Sequence, residues 1–530
     1  MNDSMNNATQ KIKVGFGLSD ITPVLPTITA GGYDRLVDKV RSKLYATALA
    51  WESESGDVQG IIVSLDLLEG EDSGLVESVR SFVNGKLTGF MDLRKIVLFA
   101  IHTHNGPFIC DTLDQLVPAI GSAIIAAWSS RLPGSVSHVE AGLNVGGCRI
   151  SKYASGPDIM YGSVDAEGFT GFLSDIDRSM TLLYFFQMET LKGIVLNPGF
   201  PFQANEGDYE ICPDIAGPLR DEFPGISIIP IIGAAGDQAP YDLSNGIPMQ
   251  EQRGMLLTTE IAKVISDEIK KYIDDGTVMA NRCYNLRQAH KVGDLNISAT
   301  VRGNEALPAI ETHAILFGDL LVVSNPFELY VDHGYAIKAG SMAPFTIIGQ
   351  LSSGYNIGDY YFYLPTSDAE QGGGYGSNGT LFDAKNGQEL VEQTIAFIND
   401  MFMFGPVTFH NYSDAVATGS WTVVYDVGAY KNERLRTGTY GDSIEFTFTG
   451  TGIKWFDAAC ESKGIAEVYI DGELKSIADS HSDIHLNQKE IYRETGLGNG
   501  THTIKIVCLC KAGGNSDGFE IGVDFFAVIH

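Results

Sequence analysis

His102 and His104 stand in the segment IHTHNGP, directly after the apolar run KIVLFAI of residues 95–101. In extended chain, residues i and i+2 share a side, and neutral imidazole is both a proton acceptor near neutral pH and the commonest metal ligand. Two such rings at a strand end suit metal holding, and equally two loop histidines satisfied by backbone carbonyls. GAAGDQAP (233–240) likewise follows the apolar run 226–232. Its small residues admit close approach of a ligand and leave Asp237 at a strand end, although an Asp in a Gly-rich turn also serves as a plain turn former. Asn325-Pro326-Phe327-Glu328 follows DLLVVS, where Glu328 opens a predicted helix as a cap or as a metal-binding carboxylate. LPTSDAEQGGGY (364–375) is a Gly-rich loop that offers the phenol of Tyr375 or simply connects two elements.

These four places need elements to bring them together. Residues 60–67 and 95–101 read as buried strands flanking an amphipathic helix over 74–87, one β-α-β unit. A strand over 226–232, a helix over 249–272, a strand over 319–323 and a final helix over 388–401 continue an α/β pattern, with a mixed α+β layered domain predicted over 13–403. In such sheets ligands gather at the carboxyl ends of strands, where these segments sit. Beyond Gly405 short alternating runs at 443–448, 452–456, 465–470, 501–508 and 521–529 predict an all-β sandwich over 404–530. Asp471-Gly472 and Gly498-Asn499-Gly500 read as hairpin turns. Residues 1–12 are expected to be disordered or extended.

Composition narrows the function classes. A chain of 530 residues with 44% hydrophobic and 19% charged residues is globular and multidomain. Its net charge of −30 repels phosphate backbones and anionic surfaces, so nucleic acid is not an expected partner. No apolar run approaches the roughly 18–20 residues of a spanning helix, so no transmembrane segment is expected. The start MNDSMNNATQKIK lacks the pattern of a secretory signal, which predicts a cytoplasmic location unless a signal was trimmed. Seven scattered cysteines predict reduced thiols rather than a disulfide framework.

Taken in order, the motifs resemble the neutral, non-lysosomal ceramidase family. Val14-Gly15-Phe16-Gly17-Leu18-Ser19-Asp20-Ile21-Thr22-Pro23 with Gly32-Tyr33 resembles its G-x-G-x-x-D-I-T-P start, and HTHNGP its H-T-H-S-G-P box. GGCRISKY, with Arg149, resembles its arginine-bearing segment, GAAGDQAP its G-D-x-S-P box, NPFE its P-G-E box, and GGGY its tyrosine loop. The resemblance spans roughly residues 13 to 400. It implies a zinc-dependent amidase in which a metal-activated water attacks an amide carbonyl. Carried over, His102, Glu328 and Tyr375 would be metal ligands, His104 a hydrogen-bonding group at the reacting centre, and Arg149 a substrate-positioning cation.

Two departures stand out. The second ligand histidine of the family is absent from GIVLNPGFPFQAN, where Gln203 and Asn205 offer only amide groups, and Ala239 replaces the serine of the G-D-x-S-P box. Three readings follow: a metal-assisted amide or ester hydrolase in which an oxygen donor such as Asp237 makes up the shell; a glycoside hydrolase using Asp237 and Glu328 as a carboxylate pair; and a pocket that binds without catalysis. The C-terminal module resembles galactose-binding-like β-sandwiches of carbohydrate-active enzymes, with Trp421, Trp455 and Tyr469 as stacking candidates or, by their place in alternating strands, core residues. The expectation is a hydrolase acting on a polar glycan or small conjugate, with His104 and Asp237 catalytic, Arg149, Gln203 and Asn205 on substrate, His102, Glu328 and Tyr375 on zinc, and possible self-association.

Overall fold

The computed structural model describes residues 8–31, 35–70, 74–299, 305–306, 309–354, 363–513, 516 and 518–530. The Gly32-Tyr33 pair of the family-like start lies outside them. The chain forms two compact units. One comprises Met1–Leu173, Ser179–Gly334 and Ala343–Thr394; the other comprises Ser174–Arg178, Tyr335–Met342 and Ile395–His530.

The first unit is built on a nine-stranded sheet. Its main path uses β1 (Gln10–Asp20), β2 (Tyr45–Ser53), β3 (Gln59–Leu65), β4 (Ile96–Ala100), β5 (Leu132–Gly142), β6 (Ser179–Gln187), β7 (Thr190–Asn197) and β8 (Ser227–Pro230), in the order 8-7-6-5-1-2-3-4. β3 and β4 pair in parallel, as a β-α-β unit requires, and so do β7 and β8; the other neighbours on this path are antiparallel. One face of the sheet packs on α1 (Leu75–Val83) and α2 (Leu113–Ser129) through Val79, Val83, Ile120, Ile124 and Trp128. The opposite face packs on a four-stranded sheet, Gln288–Leu295, Ile310–Phe317, Leu320–Ser324 and Phe345–Gly349, through Trp51, Phe99, Phe185, Phe317 and Val322. The layering explains why β3 and β4 read as unbroken apolar runs: a strand covered on both faces has no solvent side to alternate with.

Several elements depart from the sequence reading. The helix predicted over 249–272 is two helices, Met249–Gln252 and Met255–Asp274, parted at Gly254, whose φ of +124° no helix accommodates. Glu328 opens no helix; Glu328–Leu329 pairs in parallel with Tyr363–Leu364, and the helix begins at Val331.

The second unit has a seven-stranded and a three-stranded sheet around a core that includes Phe446, Trp455, Val468, Ile506 and Phe526. The predicted runs 443–448 and 452–456 form one strand, Ser443–Ala459, that shifts register between Gly450 and Gly452. Asp471-Gly472 makes the predicted hairpin turn, both residues having positive φ. Gly498–Gly500 does not turn the chain but lies inside the strand Leu486–Ala512. Trp455 is fully buried and donates its indole N–H to the Gly522 carbonyl at 3.0 Å, so it is core. Trp421 packs against the same core and Tyr469 is half-buried. All seven cysteines are among the described residues, and no disulfide joins them. No helix among the described residues is long and apolar enough to cross a membrane.

Candidate active site

β4 ends at Ala100, and two residues later His102 adopts φ +67°, a left-handed conformation that turns the chain out of the sheet. The turn is held by the His102 N–H donating to the Leu67 carbonyl at 3.0 Å. The ring is buried, with Nδ1 3.1 Å from the Leu68 carbonyl and Nε2 3.6 Å from Glu328 Oε2. A carbonyl only accepts, so Nδ1 carries the proton and Nε2 presents a lone pair toward Glu328. Burial holds the imidazole below its ordinary pKa, against the opposing pull of Glu328, and the ring is neutral at pH 7.

His104 stands edge-on to His102, ring centroids 4.9 Å apart, with Nδ1 3.8 Å from Glu206 Oε2. Burial, then the neighbouring His102 and Arg149, push its pKa well down. Gly31, at φ +92°, packs against this ring so closely that a methyl group there would lie 2.5 Å from Nδ1.

Arg149 supplies the fixed cation. One guanidinium nitrogen donates to the Gly236 carbonyl at 2.7 Å and to Tyr363 Oη at 2.9 Å, and lies 3.5 Å from Glu328 Oε2. Burial alone would lower its pKa; Tyr363, Tyr161 and Glu328 outweigh it and raise it well above the ordinary value. Its Nε is buried and makes no hydrogen bond among the described residues. The Tyr375 ring centroid is 5.8 Å from this guanidinium, with the side chain 41% exposed.

Asp237 joins the two walls of this constellation. Its carbonyl accepts the Arg149 N–H, and its carboxylate accepts the Val331 N–H at the start of the helix after Glu328, both at 2.9 Å. The adjoining Gly236 leaves no room for a side chain, since a methyl group would sit 2.4 Å from the Glu328 carbonyl oxygen.

Gln203 is fully buried, and the Phe202 N–H before it bonds the Ile101 carbonyl at 3.0 Å. Its Nε2 donates to Tyr161 Oη at 3.1 Å, while Oε1 is buried without a partner among the described residues. Asn205 is turned away: its Nδ2 bonds Asp208 and Cys212, and its N–H bonds Asp214. Asp214 gathers the backbone N–H groups of Ala204, Asn205 and Ile215, and burial raises its carboxyl to about 6.

His102, His104, Arg149, Glu328 and Tyr375 thus meet, with Gln203 alongside, Asp237 as the tie between segments and Asn205 as part of the loop's own framework. Sequence reasoning missed Glu206, Tyr363 and Asp332. Glu206 lies only one residue beyond Asn205 in QANEGDYE and was masked by an ordinary acidic loop. Tyr363 precedes the Gly-rich loop and reads as strand. Asp332 is raised to about 8 by burial, then by the charges of Asp237 and Asp368, none of which is near it in sequence except through the fold.

A catalytic zinc keeps about three protein ligands. Here two of the three expected donors, His102 Nε2 and Glu328 Oε2, stand 3.6 Å apart, the guanidinium of Arg149 lies 3.5 Å from the same carboxylate, the third, Tyr375, has its ring 5.8 Å from that guanidinium, and the Gln203 amide is bonded to Tyr161. Among the described residues no group of three or more His, Cys, Asp or Glu side chains is arranged to hold a metal ion. The donor set does not fit zinc.

The neutral ceramidase of Pseudomonas aeruginosa matches the structure with a TM-score of 0.57 at 15% identity, covering 96% of this chain and 94% of that one. The fold is that of the neutral ceramidases. A ceramidase complexed with C2 matches equally, with a TM-score of 0.56 at 14% identity over 96% and 95% of the two chains. No protein-family model matches the sequence. Two Flavonifractor plautii proteins match short stretches of it. They are the A type blood N-acetyl-alpha-D-galactosamine deacetylase, 36% identical over 94 residues, and the A type blood alpha-D-galactosamine galactosaminidase, 32% identical over 93. Each stretch is 18% of this chain, and the chain spans only 12% and 8% of the length of these relatives. The neutral ceramidase fold therefore extends over nearly the whole chain, with the H-T-H turn, Arg149 and Glu328 assembled at one place in it.

Proposed function

We propose that this protein is a hydrolase that cleaves an acyl bond, an amide or ester, in a polar sugar-like conjugate. The observation that carries the reading is the neutral His102, its Nδ1 proton committed to Leu68 and its Nε2 lone pair set 3.6 Å from Glu328. A base of this kind, with a carboxylate beside it to stabilise the imidazolium that forms, takes a proton from water as the oxygen attacks a carbonyl. Arg149 supplies the positive charge the developing oxyanion needs, from a buried site where it is worth more than in water. Two buried groups without partners among the described residues, the Arg149 Nε–H donor and the Gln203 Oε1 acceptor, match the C=O and N–H of an amide or the hydroxyls of a sugar. The deacetylase relative acts on an N-acetylated sugar by its name, and the same bond type fits here.

The test is release of acetate from N-acetylated and O-acetylated hexosides by the full chain, with and without chelator. Turnover that survives chelation and falls with His102→Ala and Arg149→Met supports the proposal. Turnover that His102→Ala leaves intact refutes it, and turnover lost in chelator and restored by zinc returns the reaction to the metal.

A second reading rests on Glu206, whose buried carboxylate flanks His104 as Glu328 flanks His102. A pair of carboxylates, each beside one of the two imidazoles, suits glycoside cleavage. Asp237 is the poorer member of such a pair, because its carboxylate holds the Val331 N–H. Hydrolysis of a nitrophenyl glycoside, abolished by Glu206→Gln, would select this reading.

A further inference from the structure

Cys460, half-buried, follows the Ser443–Ala459 strand in the second unit, where its backbone bridges that of His481. Its thiol hydrogen-bonds the His485 ring and lies 3.3 Å from Ser462 Oγ. His485 Nε2 is 2.8 Å from Asn487 Oδ1, and Asn487 Nδ2 donates to Asp175 Oδ2 at 3.0 Å. The second bond orients the amide: with Nδ2 committed to a carboxylate, Oδ1 faces His485, so His485 Nε2 carries the proton and donates it. Nδ1 is left to the thiol. Gly428 packs against this amide, where a methyl group would lie 2.4 Å from Asn487 Oδ1.

The arrangement is a nucleophile, a base and a group that sets the base's tautomer, in that order. Burial by itself would raise the Cys460 thiol; the bonds from His485 and Ser462, with the charge of Lys463, outweigh it and bring it down to about 7. The bond to Cys460 likewise raises His485, aided by Asn487 and the charge of Asp426. Nearby, His481 pairs with Asp483 at 3.2 Å.

We propose that Cys460, His485 and Asn487 form a thiol-exchange site that takes a low-molecular-weight disulfide. The Cys460 thiol passes its proton to His485 Nδ1, the thiolate attacks one sulfur of the disulfide, a new S–S bond forms as the old one breaks, and the departing thiolate takes that proton from the His485 imidazolium. The products are a mixed disulfide on Cys460 and one free thiol. The inference is independent of the hydrolytic reading, which concerns residues of the other unit.

The experiment is alkylation of the intact protein by iodoacetamide from pH 5.5 to 9.5 with peptide mapping, followed by incubation with oxidised glutathione. Cys110 and Cys283, both exposed, serve as references for accessibility. At pH 6.5 a thiol near 7 is about a quarter ionised and an ordinary thiol about a hundredth, a gain partly offset by lower intrinsic nucleophilicity, so Cys460 is expected to react about fivefold faster than a thiol of ordinary acidity. Its rate should follow a midpoint near pH 7, and His485→Gln, checked for folding by circular dichroism, should move that midpoint up by about one unit or more. Oxidised glutathione should add one glutathionyl group, on Cys460. A wild-type midpoint above 8, or an adduct confined to other cysteines, overturns the proposal whether or not the variant folds.

Discussion

Glu328→Gln tests the core of the site because it removes a charge while keeping shape. Glu328 and Arg149 are 3.5 Å apart with side-chain exposures of 12% and 6%. At an effective dielectric of about 20 that separation corresponds to about 5 kcal/mol of gross attraction. Arg149 keeps its bonds to Gly236 and Tyr363 in the variant, so the net loss is expected at about 2 kcal/mol, between a lost charged hydrogen bond and a fully stranded buried ion. A cycle with Arg149→Met isolates the pair: the double variant should lose about 2 kcal/mol less than the sum of the single losses. Hydrogen-exchange mass spectrometry on peptides covering 145–153 and 325–331 reads this in the first unit alone, which tryptophan fluorescence does not, since Trp51 and Trp128 lie in one unit and Trp421 and Trp455 in the other. Acyl hydrolysis should fall by about 10²–10⁴ in Glu328→Gln, because the general base His102 loses the carboxylate that stabilises its protonated form. Additive losses, within about 0.5 kcal/mol, would refute the claim that these side chains act on each other.

Two further outcomes are expected. Gly236→Ala should destabilise the first unit by several kcal/mol or displace Glu328, because the new methyl group meets backbone, 2.4 Å from the Glu328 carbonyl oxygen, and backbone cannot swing aside as a flexible side chain can; a variant with wild-type exchange protection and activity contradicts this. Asp332, protonated up to about pH 8 in the folded chain against 3.8 for the ordinary carboxyl, holds a proton that the unfolded chain has released between those values, so stability falls as pH rises through that window. The melting-temperature advantage of Asp332→Asn over wild type should therefore grow from pH 5 to pH 8, and a difference independent of pH contradicts the assignment.

The β3–β4 pair, the final helix and the β character of the second unit were legible in the sequence because each rests on local signals: unbroken apolar runs, helical periodicity, and alternation with Asp-Gly turns. The break at Gly254 was not, because one glycine inside a periodic run looks the same whether it bends the chain or not. Gly498–Gly500 erred the other way: turn-forming residues were absorbed into a long strand whose ladder tolerates a register shift beside Gly450.

The chain's own text thus contained the residue types of a hydrolytic site and the strand ends on which they stand. The roles were decided by packing across sequence separations of tens to hundreds of residues. The carbonyl of Leu68 chooses which nitrogen of His102 is bare, and the N–H of Val331 engages the carboxylate of Asp237. Arg149 stands beside the acid that a metal would have shared, and Glu206, silent in its loop, is brought to His104. Proton affinity and hydrogen-bond commitment depend on burial and on neighbours in space, and neither is written in residue spacing.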